Sequence, residues 1–117
     1  MAKKFIERED KRESQKVRQD ALGKIRSRLN SGSTFNTEVF RKLRNNEEIE
    51  DNYNFLRFID PFEEAEEAIV RGEIFDIDIK NNFGDELLFS CKYRMNFLEN
   101  VSGHGGFKSL CNRIFNL

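Results

Sequence analysis

The apolar residues change their spacing at Gly72, and that change limits the folds open to this chain. Upstream, "DPFEEAEEAIVRG" has helical spacing, with Phe62, Ala65, Ile69 and Val70 on one face. Asp60 suits an N-cap, Pro61 a first helical position, and Glu63 and Glu64 the positive end of the helix dipole. Arg71 suits the negative end, and Gly72 is a stop. Downstream, "EIFDIDIK" alternates. Phe75, Ile77 and Ile79 fall on one side and Asp76 and Asp78 on the other. "NNFGDE" has turn chemistry, and "LLFSCKYRMNF" alternates again, so residues 73–97 are expected to form a β-hairpin. Asp76 and Asp78 are then expected opposite Lys92 or Arg94.

The flanking segments read as helices. Val17, Ala21, Ile25 and Leu29 recur every four residues, and "NSGS" ends that stripe. "FNTEVFRKLRNN" is a short second helix with Asn36 or Thr37 as its cap and Val39, Phe40 and Leu43 inward. "NEEIEDNYNFLRFID" keeps helical spacing after a break at Asn45–Asn46. "FKSLCNRIFNL" closes the chain as a helix. A lone hairpin is marginal, so helices must cover its apolar face. The expected class is α+β: a helix-rich first two-thirds packed on the hairpin, closed by a C-terminal helix. Residues 15–117 suffice for one domain, and residues 1–14 are expected to be a basic end, frayed or ordered by a partner.

Charge is distributed in blocks. Residues 1–44 hold 13 basic and 6 acidic side chains, residues 45–86 hold 3 and 14, and residues 87–117 hold 4 and 1. A net charge of −1 thus hides segments of +7, −11 and +3. Such blocks serve interaction surfaces, or let one segment fold against another. No apolar run approaches the roughly 20 residues of a membrane span, and the expected compartment is the cytosol. Twelve asparagines and one proline fit an AT-rich genome such as that of a phage or mobile element. Cys91 and Cys111 match no zinc pattern and are expected to be buried thiols, since a reducing cytosol disfavours a disulfide.

Signatures of catalysis are weak. "VSGHGGFKSL" ends like a phosphate loop at Lys108–Ser109, but Phe107 and Ser102 occupy the two glycine positions. A lesser possibility is an anion held by the N–H groups of Gly106, Phe107 and Lys108 at a helix start. His104 has no assured nucleophile, because Cys111 shares a face with Phe107 and Leu110 and a buried thiol is inert. Asp78-x-Lys80 is one half of a metal-nuclease strand pattern, and its other half is missing.

The expected function is therefore a small cytosolic protein–protein interaction module, an inhibitor or regulator working through charged surfaces, with no catalysis, cofactor or metal. The expected contact residues are Glu63, Glu64, Glu66 and Glu67, then Gly103, His104, Gly105 and Lys108. The partner is another protein, or a second copy in a homo-oligomer. The alternative is a nucleic-acid-binding regulator using Lys24, Arg26, Arg28, Arg41, Lys42 and Arg44. Both readings weaken together if the acidic and basic segments pair with each other.

Overall fold

The computed structural model describes the backbone of residues 2–30, 33–98 and 103–117, and the side chains of 14–30, 36–98 and 103–117. The described residues form five helices and include no strand. They are α1 (Ala2–Asn30), α2 (Ser33–Arg44), α3 (Asn52–Val70), α4 (Asp76–Phe97) and α5 (Gly105–Phe115). The protein is all-α. The expected α+β class and the hairpin at 73–97 are overturned, because that stretch is α4.

The reason lies in the residues. Ile79, Phe83, Leu87 and Cys91 recur every four positions straight through the expected turn, and all four are buried. After Ile79 the segment has no β-branched residue, and Leu, Glu, Lys and Met favour a helix. The turn chemistry of "NNFG" survives only as a kink at Phe83 (φ −135°, ψ 24°). The inward and outward assignments change with the period. Asp78, expected in solvent, is 1% exposed, while Phe75 and Ile77, expected in the core, are 62% and 54% exposed.

α3 is the central element and touches each of the other four helices. It is one helix. Asp51, rather than Asp60, is its N-cap and accepts a bond from the Tyr53 N–H at 2.9 Å, and Pro61 lies inside. Its end follows expectation. Gly72 takes φ 76°, its N–H reaches the Ile69 carbonyl, and the Glu73 N–H reaches the Ala68 carbonyl. That pair of bonds satisfies carbonyls the helix leaves open.

Phenylalanines fill the core. Phe55 packs on Tyr93 at 4.7 Å between ring centres, and Phe107 lies 6.3 Å from both Phe55 and Phe62. The Tyr93 hydroxyl accepts from the Ile49 N–H at 2.9 Å, which ties the connection before α3 to α4. α1 contributes Ala21, Ile25 and Leu29 to the core, but Val17 stays 43% exposed. The backbone of α1 is helical from Ala2, and the helix runs about 43 Å at 1.5 Å per residue in a molecule 60 Å long. The side chains of residues 2–13 lie outside the described residues, and with them the expected division at residue 14. α2 begins at Ser33, ahead of the expected caps, and the Asn36 amide instead donates to the Leu29 carbonyl.

Cys91 of α4 and Cys111 of α5 are both buried, as expected, but they are bonded to each other, with Cα atoms 5.8 Å apart. The expectation of two thiols is overturned by packing: α5 lies against α4 with the two cysteines facing each other, which sequence spacing does not reveal. Among the described residues, no helix is long and apolar enough to cross a membrane.

Candidate functional site

The acidic helix and the glycine loop meet. The Glu63 carboxylate accepts from the N–H of Gly106 at 3.0 Å and of Phe107 at 2.8 Å. These are open donors at the start of α5, and a carboxylate there also faces the positive end of the helix. The anion expected at this loop is therefore supplied by the chain's own α3. Beside it, His104 takes a left-handed backbone (φ 57°), and its Nε2 lies 2.9 Å from Asp60 Oδ1. Its Nδ1 is buried without a hydrogen-bond partner, and its Nε2 is engaged by Asp60. Gly103 is also left-handed, at φ 79°. Gly105 opens α5, and the Lys108 N–H makes an ordinary helical bond to the His104 carbonyl.

Glu64 and Glu66 of this cluster are similarly engaged. Glu66 pairs with Arg113 at 2.7 Å, and Arg113 also grips Asp76 at 2.9 and 3.1 Å. The Asp76 and Glu66 carboxylates push the Arg113 guanidinium above its ordinary value. Glu64 pairs with Arg28 of α1, and Glu67 is exposed. The acidic ridge is thus largely the seam that joins α3 to α1 and α5.

Gly106 makes the seam possible. A Cβ there would lie 2.6 Å from Glu63 Oε2 and 3.0 Å from Glu66 Cβ, whereas nothing lies within 4 Å of one built on Gly105. Gly106→Ala should destabilise the protein by roughly 1–2 kcal/mol, the lost charge-assisted bonds outweighing alanine's better helix propensity. Gly105→Ala should be neutral or stabilising. Urea unfolding of the two variants side by side reads the difference, and equal stability would mean that Glu63 does not hold α5.

The Asp78 carboxylate closes a loop of its own. It accepts from the Phe75 N–H at 2.9 Å and from Arg18 of α1, fastening the start of α4. Neither Asp76 nor Asp78 faces Lys92 or Arg94; Arg94 reaches the Leu117 carbonyl instead. The basic residues of 24–44 are spread over several contacts. Arg26 bonds Asn82 and lies over the Phe83 ring, Arg41 bonds Glu38, and Arg44 lies over Phe40. Lys42 is half-buried, and Lys24 lines a cleft against α3. The pairing of acidic with basic segments, raised by the charge blocks, is present in Arg18–Asp78, Arg28–Glu64 and Arg41–Glu47, whereas Arg26 and Arg44 make neutral and aromatic contacts.

A surface absent from the sequence reading lies where α1 passes the α3–α4 turn. Two open clefts of about 430 and 480 Å³ share Val17, Arg71 and Glu73. The first is floored by Ala21, Ile25 and Ala68, and the second reaches Phe75. Arg71 and Glu73 pair at 2.9 and 3.2 Å across the rim. Val17 and Phe75 stand exposed in this groove, and Ile77 is exposed two residues beyond. Helical spacing sets Ile77, two residues from Ile79, off the buried stripe; Phe75 keeps the stripe's spacing four residues before Ile79, yet it is the N-cap of α4 and is exposed.

The chain matches no family model, no curated protein and no solved structure.

Proposed function

We propose that this chain is a small helical protein-binding module that engages its partner with the exposed apolar groove at α1 and the α3–α4 turn. The observation that carries this reading is the exposure of Val17 and Phe75 in one groove, beside a charged rim of Arg18, Arg71 and Glu73, with Ile77 exposed two residues further along α4. Apolar side chains inside a polar rim make a contact surface in which a few anchors supply the affinity. Such a module acts by occupancy, as an inhibitor or regulator does. The acidic residues expected to bind serve the fold first, so reversing Glu63, Glu64, Glu66 and Glu67 together would dislodge α5 and test folding instead.

Phe75→Asp combined with Ile77→Lys is the cleaner test. Asp is a favoured N-cap, and position 75 is the N-cap of α4, so the helix is retained while the apolar surface is lost. Proteins held by the immobilised wild type should be absent from the double variant, with unchanged circular dichroism. Equal retention by both would remove this surface as the binding site.

A further inference from the structure

Cys91 and Cys111 are the two cysteines of the chain, and the fold joins them across α4 and α5. We propose that the pair is a site of oxidative maturation, closed by exchange with a glutathione-type disulfide, and that the protein works in an oxidising compartment. The thiolate of one cysteine attacks the small disulfide, releasing one thiol and leaving a mixed disulfide. The second cysteine attacks the protein-side sulfur, forms the Cys91–Cys111 bond and releases a second thiol. The two electrons and two protons given up by the protein end on two small thiols.

Three observations make this bond a permanent staple instead of a reversible signal. The Cα atoms stand at an ordinary bridging distance of 5.8 Å, so the helices need not move to accept it. Both cysteines are fully buried, whereas labile regulatory disulfides are exposed or strained. A reductant reaches the sulfurs only after α5 lifts. That motion pulls Phe107 and Leu110 out of the core, strips Glu63 from the start of α5 and breaks the Arg113 pairs near its end. Moreover, no third cysteine is present to resolve the bond by internal exchange. Permanent disulfides persist where the surroundings are oxidising and are rare in the cytosol. An oxidising compartment is thus proposed in place of the cytosolic one expected from composition.

The inference stands apart from the binding surface, which lies at the α3–α4 turn, and its test does not involve a partner. The oxidised protein is held in a glutathione buffer as reducing as the cytosol, acid-quenched over time, and labelled with a maleimide polymer that shifts its mobility once per thiol. The native protein should take up label roughly 100-fold or more slowly than the same protein in denaturant, because α5 must open first. Rapid double labelling of the native protein would overturn the staple. Cells that make the protein, quenched directly in acid and then alkylated in denaturant so that the buried positions are reached, should yield no free thiol; a doubly alkylated chain would overturn the compartment.

Discussion

Serine at both Cys91 and Cys111 should lower the free energy of unfolding by about 3 kcal/mol. The bond joins residues 20 apart in sequence, and in the unfolded chain it holds those two points together. Without it, the unfolded ensemble gains conformations that the folded state does not. The native packing changes little, since serine is close to cysteine in size, although its buried hydroxyl adds a small further cost. Two readouts separate this mechanism from simple loss of packing. The midpoint of urea unfolding should fall, and the dependence on denaturant should steepen, because an uncrosslinked chain exposes more surface when it unfolds. A loss below about 1 kcal/mol with an unchanged slope would show that the cross-link does not constrain the unfolded chain.

Phe107→Ala should cost about 4 kcal/mol, the largest effect expected of any single substitution in α5. Phe107 is fully buried, and its ring meets Phe55 and Phe62 of α3. Its own N–H is one of the two that hold Glu63. Truncation therefore opens a cavity between α3 and α5 at the point where α5 is also fastened electrostatically. The loss should be local as well as global. Amide exchange should quicken in α5 while the α1–α3 contacts through Ile25 and Ala68 keep their protection. Phe115→Ala, at a half-buried position near the far end of α5, should cost much less. Equal effects at the two positions would mean that α5 is held along its whole length instead of at its start.

The parts of this fold that were legible in the sequence are those in which one residue type has one job. Gly72 ends α3 because its left-handed backbone suits glycine, and Ile25, Leu29, Val39 and Leu43 point inward because their period admits one face. The C-terminal helix was equally plain. The hairpin failed for a specific reason. Five alternating residues, Phe75 to Ile79, also contain the start of a four-residue period, which the longer stripe of Ile79, Phe83, Leu87 and Cys91 continues. The error carried Phe75 and Ile77 into an imagined core and Asp78 out of a real one. Residue 60 misled in a different way: Asp-Pro is a good helix start, but Asp51 already supplied one and the helix tolerated Pro61 inside. The cysteine pairing and the capture of the α5 start by Glu63 depend on how α5 returns across α3 and α4. Sequence spacing carries no trace of that path.

The bond between Cys91 and Cys111 also changes what a protease can do to this molecule. Residues 91–111 form a covalent ring that includes the connection between α4 and α5. A cut at any peptide bond between residues 92 and 110 adds one water to the mass but releases nothing, because the sulfur bridge still joins the two pieces. The last helix thus has two independent attachments to the rest of the chain, and both must be broken before it can leave.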